Sequence, residues 1–193
     1  MVRGGEKGQT LIELLVVLSL MTCVGAIGSS VMAHARRSIA LAAGTSELRA
    51  LFQRARMTAV AHNRNVAIRF RPVGDLWSWT VYEDGDGDGV RNDDINRGVD
   101  FPIDRPRLFQ YQPVRIGVPS GAVVDPMTGQ LLSLRLPVRF GTSQLCSFSP
   151  AGEATNGSVV LTDGEHATIL RVSGTSAWIS VMRWNGKKWI TGS

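Results

Sequence analysis

The residues with the clearest capacity for chemistry are carboxylates in a glycine-rich stretch, Glu83–Gly89, which we call the Asp-Gly loop. Its carboxylates at positions 1, 3 and 5 of a calcium-loop pattern are Asp84, Asp86 and Asp88. Gly89 follows at position 6, but position 12, where calcium loops place a bidentate acid, is Ile95. Calcium is therefore the weaker interpretation. A solvated hairpin loop, in which glycine and aspartate supply the turn geometry, is favoured.

A second candidate site lies near the carboxyl terminus, where cations alternate with aromatic residues. The cations are Arg171, Arg183, Lys187 and Lys188. Trp184 and Trp189 lie between and beside them, so the segment could contact phosphates and stack bases. The alternative places the tryptophans in a sheet and the lysines at an ordinary hairpin tip after Asn185, and this alternative is favoured.

Residue patterns typical of enzymes are not found in the sequence. There is no Ser/His/Asp set with its supporting motifs, no phosphate-cradling glycine loop before a helix and no H-E-x-x-H. The 193-residue chain carries a formal net charge of +5, which is compatible with a polyanionic partner without requiring one. We expect a non-enzymatic protein, with no cofactor other than the calcium candidate, and we expect Cys146 to be a buried small hydrophobe.

The element that organises the chain is an apolar run near its start. From Leu14 to Ala33 there is no charged residue, and one carboxylate, Glu13, precedes the run. About twenty residues at about 1.5 Å per residue span a hydrocarbon core of roughly 30 Å, so the run predicts a membrane helix. An ionised carboxylate in a bilayer costs several kcal/mol unless it is paired or reaches water.

The residues before this run resemble a known processing signal. A secretory signal is cleaved after its apolar region, whereas the glycine here, Gly8, precedes it. The sequence Gly8–Val17 resembles the class III signal of type IV prepilins and type II secretion pseudopilins, with Gln9 where phenylalanine is usual. The resemblance implies cleavage between Gly8 and Gln9 by a prepilin peptidase, with N-methylation at Gln9. It also implies that Glu13 pairs with the terminal amine of a neighbouring subunit and sets the axial register; the alternative is a glutamate that snorkels to water.

The helical pattern continues beyond the apolar run. Apolar residues recur at helical spacing at Leu41, Leu48, Leu51, Phe52, Ala55, Ala59 and Val60. We predict one helix from about Thr10 to about His62, with its first half in the bilayer and its second half packed on a sheet. Alternation at Val66, Ile68 and Phe70 then predicts a strand.

A series of short strands is predicted for the rest of the chain. A turn over 72–75 precedes a second strand over 77–82, and short strands follow between 107 and 140. Asp163-Gly164 and Asn185-Gly186 predict two-residue hairpins that join 158–161, 166–172 and 177–184 into an antiparallel meander, with a last strand at 187–190. The predicted fold is α+β, with a long N-terminal helix, transmembrane in its first half, packed by its second half on an antiparallel β-sheet domain.

This order of elements, with Phe148-x-Pro-x-Gly152 before the meander, resembles the GspH/FimT family of minor pseudopilins and minor pilins. The resemblance implies a pilin-like fold with a leader at 1–8, a transmembrane helix at 9–33, its amphipathic continuation at 34–63 and a periplasmic β domain at 64–193. It implies a single-pass inner-membrane protein that contacts lipid, other pseudopilins or minor pilins, the prepilin peptidase and the inner-membrane assembly platform. The expected function is that of a minor pseudopilin near the pseudopilus tip in type II secretion. The alternative is a FimT/FimU-like minor pilin of a type IV pilus, which assembles pili or binds DNA for uptake.

Overall fold

A computed structural model describes residues 11–133 and 136–192 of the chain, without the side chains of 23–31, 33 and 192. The chain divides into two compact units, Met1–Ser38 and Ile39–Ser193. Helix α1, Leu11–His62, contributes to both units. Its bounds confirm the predicted long helix, which contains no proline to interrupt its hydrogen bonds.

In the first unit, the side chains from Leu11 to Thr22 are exposed. No helix in the described part of the chain combines the length and the apolar character needed to span a membrane. The long helix is therefore confirmed, and the membrane span predicted for its first half stays a prediction.

In the second unit, one face of α1 enters the core. The buried hydrophobic residues of the helix are Leu48, Leu51, Phe52, Ala55 and Ala59. Their spacing is that of one helical face, as predicted, because residues three and four apart lie on the same side of a helix. The predicted member Val60 does not follow this pattern, since it is 56% exposed.

Besides its part of α1, the described portion of the second unit contains two antiparallel sheets and a short helix. The elements are β1 Val66–Val73, β2 Leu76–Glu83, α2 Asn92–Arg97, β3 Phe101–Pro102, β4 Arg107–Leu108, β5 Arg115–Ile116, β6 Val138–Arg139, β7 Leu145–Phe148, β8 Gly157–Thr162, β9 Ala167–Val172, β10 Ile179–Trp184 and β11 Trp189–Gly192. The first sheet has the order β3-β2-β1-β7, with β4 also paired to β2. The second has the order β11-β10-β9-β8-β5, with β6 also paired to β8. The α+β class with antiparallel sheets is confirmed.

Side chains alternate between the two faces of each sheet, and the two faces pack against different hydrophobic clusters. In β1, Ile68 and Phe70 join the main core with α1, whereas Ala67 faces a small cluster with Val90 and Leu145. The second sheet follows the same rule. Its residues on one face, such as Leu170, join the main core, and those on the other face pack with the 118–132 segment and the two C-terminal tryptophans.

Several predicted boundaries were wrong. The turn over 72–75 is reduced to Gly74 and Asp75, because Pro72 pairs with Trp77 within the hairpin. The two Asx-Gly hairpins have four-residue connections, 163–166 and 185–188, rather than two-residue turns. Between 107 and 140 the named strands are only two residues long. Strand β7, whose residues pair with residues of β1 that lie 76 to 82 positions earlier in the sequence, was not predicted as a member of the first sheet.

Candidate functional site

The processing and assembly residues lie at the amino-terminal end of the chain. Gly8 and Gln9 lie outside the described residues, so the predicted cleavage site has no structural description. Glu13 lies in the first turn of α1 and is exposed. A carboxylate in this turn interacts favourably with the helix dipole.

The Asp-Gly loop is organised by Asp84, which is only 1% exposed. Its Oδ1 accepts the backbone N–H of Gly87 at 2.7 Å, and its Oδ2 accepts the N–H of Gly89 at 2.9 Å and the Nδ2 of Asn65 at 2.8 Å. Burial alone would raise the pKa of Asp84, but these hydrogen bonds outweigh burial and hold the pKa below its usual value. The carboxylate is therefore ionised and already supplied with three donors.

The structure brings the other two calcium candidates to the same place. Asp84, Asp86 and Asp88 can present one oxygen each, all within 4.8 Å of one another, and the latter two are exposed. Asp88 forms an ion pair with Arg91. Ile95, at the position where a calcium loop needs its bidentate acid, is partly buried and packs against the small cluster under β1. A cation at this loop would therefore compete with N–H donors and with Arg91 for the carboxylate oxygens. The twelfth position also lacks the acid that calcium needs.

Asp100 closes the loop, although it was not predicted from the sequence as a functional residue. Asp100 is 1% exposed and accepts the N–H of Gly85 at 3.1 Å and that of Arg91 at 2.9 Å. Gly85 is required there, since a Cβ at this position would lie 2.0 Å from the carbonyl oxygen of Val99. No local motif identifies Asp100, because its partners lie 15 and 9 residues away in the sequence.

The loop is also fastened to the end of α1. His62 Nδ1 lies 2.7 Å from Glu83 Oε2, and Glu83 is 7% exposed. Arg64 donates from Nη1 to the carbonyl oxygen of Asp84 at 2.9 Å. Together with the bond from Asn65, these contacts join the α1–β1 connection to the start of the loop. The Asp-Gly loop is thus preorganised by hydrogen bonds at the end of the first sheet where β2 ends and β1 begins.

The predicted nucleic-acid residues are not brought together on one surface. Arg171 in β9 pairs in register with Ser180 in β10, three residues before Arg183. Side chains alternate between the faces of a sheet, so Arg171 and Arg183 project from opposite faces. Arg171 is also engaged, because its Nη2 donates to both carboxylate oxygens of Asp125, at 2.7 and 2.8 Å.

The remaining cations lie at the tip of the β10–β11 hairpin. Arg183, Lys187 and Lys188 are exposed, and Asn185 Oδ1 accepts the N–H groups of both lysines, at 3.0 and 2.9 Å. Trp184 and Trp189 contact each other with ring centroids 5.5 Å apart, and both pack on the cluster that includes Val160 and Ile169. Trp189 Nε1 donates to Val124 O at 2.8 Å. The tryptophans therefore act in packing, and three of the four predicted cations remain exposed.

Asp125 is another buried carboxylate that was not predicted from the sequence as a functional residue. Besides Arg171, it accepts Arg139 Nη2 at 2.7 Å and the backbone N–H of Met127 at 2.9 Å, and it is 1% exposed. Burial would raise the pKa of Asp125, but the Met127 N–H and Arg171 outweigh it and lower the pKa. The cluster fastens the turn after Asp125 to β6 and β9 of the second sheet.

Cys146 is fully buried in the main core, as predicted, and is not in a disulfide. Burial raises the pKa of its thiol well above the usual value. The thiol is therefore protonated at neutral pH and packs as a small hydrophobe.

Comparison with known proteins gives two family matches. Residues 44–177 match the family described as type II transport protein GspH. Residues 3–29 match the prokaryotic N-terminal methylation motif. No curated protein and no solved structure gave a significant match. The first match begins at Gly44 in α1 and ends in the β9–β10 connection, so it includes the Asp-Gly loop and Asp125 with its two arginine partners. The second match includes Gly8, Gln9 and Glu13. The chain belongs to the GspH family of type II transport proteins and carries a prepilin-type N-terminal signal.

Proposed function

We propose that this protein is a minor pseudopilin of the type II secretion system, a non-enzymatic structural subunit in the tip region of the periplasmic pseudopilus that supports protein export. The observation that carries the proposal is the pairing of the two matches on one chain. A GspH domain over 44–177 follows an N-terminal methylation motif over 3–29. Each match alone would fit a wider range of proteins.

The proposed maturation begins with a prepilin peptidase, which cleaves between Gly8 and Gln9 and methylates the new terminus. The uncharged run from Leu14 to Ala33 then holds the subunit in the inner membrane as a single pass. The continuation of the helix and the β domain lie in the periplasm. These assignments divide the chain into a leader at 1–8, a membrane helix at 9–33, its continuation at 34–63 and a β domain at 64–193.

Glu13 is proposed to set the position of the subunit in the assembly. An ionised carboxylate at the start of an apolar run is costly to hold in lipid unless it is paired or reaches water. The terminal amine of Gln9 in a neighbouring subunit supplies an opposite charge at similar depth. Their pairing stabilises one axial register and disfavours others.

The exposed face of α1 in the second unit supports an assembly role. Ile39, Met57 and Val60 are 68%, 70% and 56% exposed. The other exposed residues on this face are Ala42, Ala43, Ser46, Ala50, Gln53 and Ala61. They recur at intervals of three and four and are uncharged, whereas the exposed face of a helix in an isolated domain is normally charged or polar. The exposed Arg54, at the border of this face, is paired with Asp104. Small residues let another helix approach closely, so this face suits contact with a neighbouring subunit.

The proposal is tested with Glu13→Ala in the native cell. We expect normal cleavage and membrane insertion, because the leader and the apolar run are unchanged, together with loss of cross-linking to other pseudopilins and loss of export. Ser19→Ala, in the same run and without a change of charge, is the matched control and should behave as the wild type. Normal assembly of the Glu13→Ala protein would overturn the register role.

The choice of machine is tested by co-purifying the tagged, membrane-extracted protein and identifying its partners by mass spectrometry. We expect other pseudopilins and the type II secretion platform. Recovery of minor pilins and a type IV pilus platform instead would replace the proposal with the FimT/FimU-like alternative. DNA binding would then be the next activity to measure.

A further inference from the structure

We draw no further inference here: the strongest candidate, the shallow cavity of about 460 Å³ at the outer edge of β2 lined by Tyr82, Pro102 and Ile103, carries nothing because nothing in the structure shows what covers it.

Discussion

Replacing Asp125 with asparagine is the sharpest test of how the second sheet is held together. The substitution keeps the size of the side chain and removes its charge. Arg139 and Arg171 would then remain next to a neutral group, each with its Nη2 previously 2.7 Å from a carboxylate oxygen. The loss would loosen the contact between the turn after Asp125 and strands β6 and β9.

The expected magnitude follows from burial. Removing one partner of a fully buried ion pair costs about 3–5 kcal/mol. The side chains of Arg139 and Arg171 keep 26% and 17% exposure, so water compensates part of the loss. We therefore expect the free energy of unfolding to fall by about 3 kcal/mol, near the lower end of that range. For a unit of this size, such a loss corresponds to a decrease in Tm of about 6–12 °C.

The assay is urea unfolding of the detergent-solubilised chain, followed by tryptophan fluorescence. All five tryptophans lie in the second unit, so the signal reports on the sheets. Asp163→Asn is the matched control. Asp163 has a side chain only 2% exposed, accepts the N–H groups of Glu165 and His166, and lies 3.1 Å from the His166 ring. Among the described residues it has no arginine partner, so the control keeps the burial and the N–H bonds and lacks the two guanidinium groups. We expect Asp163→Asn to lower the free energy of unfolding by about 1–2 kcal/mol.

The pH dependence of unfolding of the wild type and of Asp125→Asn tests the role of the charge directly. The pKa of Asp125 is lower in the folded chain than the unfolded value of about 3.9. A lowered pKa contributes stability that is present above the unfolded value and is lost as pH falls through the folded value. The difference in the free energy of unfolding between the wild type and Asp125→Asn should therefore be constant from about pH 8 to pH 5 and should shrink below about pH 4. A difference under about 1 kcal/mol at pH 7, or one that does not shrink in acid, would refute the ion-pair explanation.

The remaining predictions concern the Asp-Gly loop and the core thiol. Gly85→Ala should lower the free energy of unfolding by about 1–3 kcal/mol, because the new Cβ would lie 2.0 Å from Val99 O. Gly117→Ala, whose Cβ would meet no atom closer than 3.4 Å, is the control, and an equal effect of both would contradict the steric argument. Calcium should show no saturable binding below about 1 mM in calorimetry, because the loop carboxylates already have N–H and arginine partners; micromolar binding would reverse this conclusion. Cys146 should resist maleimide in the native chain at pH 8 and react after denaturation, as followed by peptide mapping, because burial raises the pKa of its thiol. Rapid native labelling would show that the core opens at this position.

The sequence alone was sufficient for the features that depend on short spacing. The helix to His62, the strand starting at Val66 and the C-terminal meander all follow from periodicities of 3.6 or 2, which are local properties of the chain. The membership in the GspH family was likewise visible from residues at fixed spacing. Exact turn lengths could not be predicted from the sequence, because the four-residue hairpin connections depend on cross-strand register as well as on the Asx-Gly pair.

Only the tertiary structure decided which polar residues act together. Asp125 meets Arg171 across 46 residues, and Asp100 meets Gly85 across 15, so neither contact leaves a local motif. The same holds for Arg171 and Arg183, which looked like one basic segment in sequence and project from opposite faces of a sheet. Side-chain direction in a sheet alternates with every residue, so a patch is defined by strand register and not by proximity in sequence. For this protein, sequence spacing identified the long helix and the family, and strand pairing determined which charges are buried and which remain exposed.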